Sequence, residues 1–225
     1  MSESVTERPV TDKPGVQRGG DLLTPERLLA LSDGIFAFAA TLLVVNLDVP
    51  SIPAGQEASA LPGALASLFD QLEAFVLSFY LIAVFWTIHQ RQFRYLRMLD
   101  DGLLWINLLS LLLVVLIPFS TALVSRYGDY LMGAVVFELN MLLAGLVFTG
   151  QFFYAVRRPH FFSHAYSSSE VRRALRRNLL IPAASTLAIG VAFVNPGLST
   201  SAYWLILVYV LVERAVLKRR SASAS

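Results

Sequence analysis

The chain has 225 residues, of which 56% are hydrophobic and only 15% charged, with a formal net charge of +2 and a mean hydropathy of +0.60. A soluble domain carries roughly 25% charged residues, so this composition excludes an ordinary soluble domain and points to the bilayer. There is no cysteine, which excludes disulfides, thiol catalysis, zinc–thiolate centres and iron–sulfur ligation.

Met1 to Asp21 is polar, of mixed charge and without the apolar core of a signal peptide. Residues 1–23 are therefore expected to form a disordered cytoplasmic N-terminus, with the first apolar segment a retained helix. Thr24-Pro25-Glu26 supplies a capping hydroxyl, a first-turn proline and an acid ahead of that segment. A crossing helix needs about 20 mostly apolar residues. Six stretches meet this expectation: Leu28 to Val49, Leu68 to His89, Leu103 to Leu123, Leu131 to Val156, Leu179 to Val194 and Ala202 to Leu217. The fifth is the weakest, being short and carrying Pro182. Ahead of it, Ser167 and Glu170 make a capping-box pattern, and Asn195-Pro196-Gly197 marks a tight stop before the sixth. The expected fold is an all-α membrane protein of six helices occupying residues 24–218, with 219–225 a disordered cytoplasmic tail.

Lysine and arginine give the orientation. Seventeen of the 18 fall in the N-terminal segment, the connections after spans two and four, and the C-terminal tail; only Arg126 lies on the other side. With an even number of spans, both termini are expected in the cytoplasm of a multi-pass plasma-membrane protein. The Pro-, Ala- and Gly-rich stretch from Pro50 to Ser67 then faces outward as a loop. The pairs Arg172-Arg173 and Arg176-Arg177 form a basic surface expected to contact anionic lipid at the cytoplasmic face. Nucleic acid is not expected as a partner. Tyr127, Tyr203 and Trp204 suit the outer interface.

In the first span, at about 100° per residue, Leu31, Gly34, Ile35, Phe38, Thr41, Leu42 and Val45 share one face. Asp33 and Ser32 turn away from it. Taken alone, such a stripe meets lipid or a neighbouring helix. Asp33 is costly inside a span and needs a partner or a water path.

Arg27-x-x-x-Leu31-Ser32-Asp33-Gly34, followed by Thr41-Leu42-Leu43 and Asp48, resembles the first-helix signature of the transmembrane protein 175 family, the lysosomal potassium channel and its single-repeat bacterial relatives. Leu31 stands where that pattern has phenylalanine. Phe85-Trp86-x-x-His89 and Trp105-Ile106-Asn107-Leu108-Leu109 resemble the family's stretches in spans two and three, in the same order. The resemblance implies a homotetrameric potassium-permeable channel with the first helix around a central pore. It also implies a constriction at Phe38, Leu42 and Val45, with Thr41 the hydroxyl on the pore face. The family more often has isoleucine or leucine at the position of Phe38.

No Thr-Val-Gly-Tyr-Gly loop is present, which excludes a carbonyl-lined filter of that kind; an apolar constriction that opens by wetting is the expected gate. The only ion expected is permeant potassium, with no bound cofactor or metal. Arg27, Ser32, Asp33, His89 and Asn107 are expected to meet at one depth as a hydrogen-bonded clamp on the pore helix. Glu138 and Asn140 are read as structural contacts between helices. His160 and His164 lack ligand-spaced partners for a metal. An enzyme is disfavoured by the lack of a Ser/His/Asp set, a metal-ligand cluster or a phosphate loop. The competing reading is a proton channel or proton-coupled transporter using Asp33 and His89.

Overall fold

The computed structural model describes residues 24–163, 166–206 and 208 of the chain. The expected disordered segments 1–23 and 219–225, together with His164, lie outside the described residues. Helix α1 runs Pro25–Val45, with the Thr24 side chain accepting the Arg27 N–H, Pro25 in the first turn and Asn46 as C-cap. A ten-residue helix, α2 (Glu57–Ala66), occupies the stretch expected to be a loop. Its Pro62 lies inside the helix and none of its residues is buried. Helix α3 (Phe69–Phe93) is followed by α4 (Asp101–Val115) and α5 (Ile117–Tyr127). These last two make one 27-residue apolar span broken at Leu116, because Pro118 lacks the N–H that would continue the ladder. The break falls inside the span expected from Leu103 to Leu123.

Helix α6 (Leu131–Val156) has the bounds expected from the sequence. Helix α7 (Ser168–Asn178) opens with the Ser167–Glu170 capping box, and α8 (Leu180–Ala192) follows almost without interruption. Among the described residues, four spans are long and apolar enough to cross a membrane: α1, α3, α4–α5 and α6. The expected fifth span, Leu179 to Val194, is the 13-residue helix α8, shorter than these four. Residues 201–206 are helical, and most of the expected sixth span beyond them lies outside the described residues.

Helix α6 is the centre of the packing, touching α4, α5 and α8, while α1 seats on α3, α4 and α5. The main core joins Phe36, Leu43, Phe85, Val114, Ile117, Phe137, Met141 and Phe148 from all four spans. A smaller cluster at the basic end gathers Leu28, Phe93, Leu96, Leu103, Ala155 and Phe161. There the loop after α3 is tied to the connection after α6 by Arg97 N–H to the Phe161 carbonyl at 2.8 Å and Ser163 N–H to the Tyr95 carbonyl at 2.8 Å.

Asp100 closes the same end. Its Oδ1 accepts the Leu103 N–H at 2.8 Å, its Oδ2 accepts the Tyr154 hydroxyl at 2.8 Å, and Arg158 Nε lies 3.5 Å away. Slight burial pushes the Asp100 carboxyl up, but the Leu103 N–H, the Tyr154 hydroxyl and the Arg158 guanidinium outweigh it and hold the pKa below the usual carboxylate range.

Candidate functional site

Helix α1 has two faces. Leu28, Ser32, Phe36, Ala39 and Leu43, spaced three or four apart, are buried against the other spans. The opposite face carries Leu31, Phe38 and Val45, which are 49%, 59% and 74% exposed, with Gly34 and Thr41 exposed between them and Leu42 half-buried at its edge. The Thr41 hydroxyl donates to the Phe38 carbonyl at 2.8 Å, so its proton is spent on its own helix and only its oxygen faces outward as an acceptor.

Behind α1 lies a buried polar chain. Ser32 Oγ donates to the Leu28 carbonyl at 2.8 Å and accepts Asn107 Nδ2 from α4 at 3.2 Å. Asn107 Oδ1 faces His89 Nε2 at 2.8 Å and Gln151 Nε2 at 3.2 Å. An amide oxygen only accepts, so His89 carries its hydrogen on Nε2. Ser32, His89 and Asn107 are all fully buried, and one directed chain therefore spans α1, α4, α3 and α6. The His89 ring stacks on Phe93 with centroids 4.3 Å apart and is flanked by Phe36 and Phe148.

Two of the five residues expected in this clamp stand outside it. Asp33 turns to α3, where its Oδ1 accepts Trp86 Nε1 at 2.9 Å and the side chain of Gln90. It forms one end of an otherwise apolar groove lined by Phe36, Ala40, Phe79, Ile82 and Trp86. Arg27 is exposed and contributes only its backbone N–H, as part of the cap. The helical turn accounts for this: Ser32 and Asp33 are adjacent and about 100° apart, so a side chain inward at one leaves the other looking sideways. Gln151 and Gln90 were not singled out in the sequence. A second amide in the apolar run of α6, eleven residues after Asn140, and the i, i+4 spacing of Trp86 and Gln90 on α3 are the signals that point to them.

At the other end of α1, Asn46 Nδ2 donates to the Pro118 carbonyl at the α4–α5 break, at 2.9 Å. Arg126 reaches both Asp48 oxygens at 3.0 and 2.8 Å. Away from α1, Asn140 Nδ2 donates to Ser120 Oγ at 3.0 Å, and Glu138 on α6 is hydrogen-bonded to the Tyr203 hydroxyl, which lies 2.9 Å from Ser185 Oγ on α8. Tyr203 is thus a fully buried strut rather than the interfacial ring its position suggested, because the Glu138 carboxyl inside the bundle needs a partner. Trp204 is partly exposed and donates to Glu73 at 3.0 Å.

These features define a multi-pass, all-helical membrane protein whose first helix is pinned from behind by buried polar groups and leaves an apolar face uncovered. Residues 27–118 match the family described as endosomal/lysosomal potassium channel TMEM175. A potassium channel of Streptomyces collinus is 30% identical over 204 residues, covering 88% of this chain and 97% of the relative. The chain belongs to the TMEM175 family. The crystal structure of a lysosomal potassium-selective channel TMEM175 homologue from Chamaesiphon minutus superposes with a TM-score of 0.72 at 29% identity, covering 84% of this chain and 97% of that one. The human endosomal/lysosomal proton channel TMEM175 is 24% identical over 188 residues; they make up 80% of this chain but 37% of the human protein.

Proposed function

We propose that the chain is the pore-forming subunit of a potassium-permeable channel in the plasma membrane, with six crossing helices, both termini in the cytoplasm and four copies around one axis. The observation that carries this reading is the two-faced α1. One face is locked into the subunit, and the other presents Leu31, Phe38, Thr41 and Val45 uncovered. A single helix per subunit encloses a path only when several subunits contribute one each. Relatives of nearly the same length are named potassium channels, which supports the choice of ion.

In this reading Phe38, Leu42 and Val45 form apolar rings that exclude water when closed, and a small widening wets them. Thr41 offers an acceptor oxygen between Phe38 and Leu42 for a partly dehydrated cation. Ser32, His89, Asn107 and Gln151 hold α1 at the depth where these rings align, and Asp33 fixes its rotation through Trp86 and Gln90. The ion is substrate, and the chemistry asks for no cofactor.

The names of the vertebrate relatives favour a second reading, a proton channel. Reversal potentials of the reconstituted protein under separate potassium, sodium and proton gradients distinguish the two. The variant Leu42→Ser tests the pore itself. It is expected to raise passive potassium flux into vesicles several-fold and to bring the potassium–sodium reversal potential toward zero. Unchanged flux and unchanged selectivity would overturn the assignment of α1 to the pore.

A further inference from the structure

A cavity of about 440 Å³ opens at the basic end, between the last two turns of α3 and one face of α7. Arg91 and Arg94 line it from the α3 side and Arg173 and Arg177 from α7, with Glu170 the one carboxylate among them. Glu170 already serves the α7 cap, its Oε2 accepting the Ser167 N–H and hydroxyl at 2.8 Å each. The spacing on α7 is informative: residues 170, 173, 174, 177 and 178 face the cavity, whereas Arg172 and Arg176 are exposed on other faces. The arginine pairs are therefore split, one member of each turned into the cavity.

A second observation is independent of the charges. Asn178 lines the same cavity and is 4% exposed, yet its Nδ2 meets no acceptor among the described residues. A buried amide donor without an acceptor costs about 1–3 kcal/mol. Asn178 thus presents an unmet donor in a cavity that four arginines line. Ile88 and Phe152 close the inner wall, and such an apolar backing strengthens charge-assisted hydrogen bonds at the site.

We propose that this cavity is a binding site for a phosphate group, carried by an anionic lipid headgroup or by a soluble phosphate. A phosphate brings several acceptor oxygens and, as a monoester, a second charge. It can accept forked hydrogen bonds from two or more guanidiniums while still taking one from an amide. A carboxylate has two oxygens and one charge, too few for this donor set. Ile88 and Gln92, two of the α3 residues on the wall, flank His89 in sequence. An occupant would therefore brace α3 beside the polar chain that supports α1. The site itself does not rest on ion conduction.

The test uses the full chain in a neutral detergent, followed by tryptophan fluorescence during thermal unfolding. One arm adds inorganic phosphate or pyrophosphate, with ionic strength held constant by chloride. The other adds a short-chain phosphatidate, with the matching phosphatidylcholine as control. A saturating rise in Tm is expected in at least one arm; the lipid arm alone identifies a headgroup, and a response to inorganic phosphate identifies a soluble anion. In Arg173→Gln/Arg177→Gln the half-saturating concentration is expected to rise at least about tenfold, as loss of two guanidinium forks implies. Arg172→Gln/Arg176→Gln, which removes the same charge from other faces, should stay within about twofold. Should the first double variant fail to fold, Arg94→Gln replaces it with the same expected direction. Absence of a shift in both arms, or equal loss in both double variants, would overturn the proposal.

Discussion

Asn107 joins three helices through one side chain, donating to Ser32 on α1 and accepting from His89 on α3 and Gln151 on α6. Interhelical hydrogen bonds within membranes average about 0.6 kcal/mol each, so Asn107→Ala is expected to cost about 2 kcal/mol. Ser32→Ala, which removes only the outermost link, should cost about 1 kcal/mol or less; thermal unfolding in detergent followed by circular dichroism measures both. Asp100 invites a different test. Because its folded pKa lies below the unfolded one, its contribution to stability is full above the ordinary carboxylate value of about 4 and is lost as pH falls through the lower folded value. Asp100→Ala should lose about 0.5–2 kcal/mol at neutral pH through the missing cap. Asp100→Asn should retain much of the cap and flatten the acid limb of the Tm–pH profile. Ser32, His89 and Asn107 were legible because buried polar residues in apolar spans seek one another. Asp33 stands outside the chain because it lies about 100° around the helix from Ser32, where Trp86 and Gln90 on α3 supply its donors.

At the scale of elements, the most extensive contact is between α6 and α8. A Cβ built at Gly145 would lie 2.6 Å from Cδ and 2.8 Å from Cγ of Pro182, while one at Gly150 on the same helix would meet nothing within 4 Å. Gly145→Ala is therefore expected to destabilise by about 1–3 kcal/mol, since a rigid pyrrolidine ring cannot move aside. Gly150→Ala should be neutral or stabilising by up to about 1 kcal/mol through helix propensity. Chemical unfolding of the two variants side by side checks the difference. Apolar run length gave α1, α3 and α6 to within a few residues, and the Ser167–Glu170 pattern gave the start of α7. The break at Leu116 was not read, although Pro118 is in plain view: a first-turn proline suits a helix start as well as it kinks one. Helix α2 was missed for a related reason, because its glycine and proline speak for a turn and its alanines for a helix.

The whole molecule is built around α6, with α1 at the periphery of the single subunit. Four apolar spans of the chain were legible from apolar run length, whereas assembly was not, because an apolar face reads the same whether it meets lipid, a neighbour or a pore. Among the described residues, Arg126 is the one cation at the end of the protein where α1 finishes, and Asp48 just beyond that helix engages it. With that guanidinium neutralised, Glu57, Asp70, Glu73 and Asp129 leave this end of the protein acidic, while the far end holds the arginine connections. In the proposed channel the two mouths would thus sit at opposite surface potentials, felt over a Debye length of about 10 Å at 0.1 M salt. Cations would be enriched at the Asp48 mouth and depleted at the other. Single-channel currents in symmetrical dilute potassium chloride should then rectify, with the larger current for ions entering past Asp48, and should straighten as the salt is raised. A current–voltage relation that is linear at low salt would show that these charges lie too far from the conduction axis to act on it.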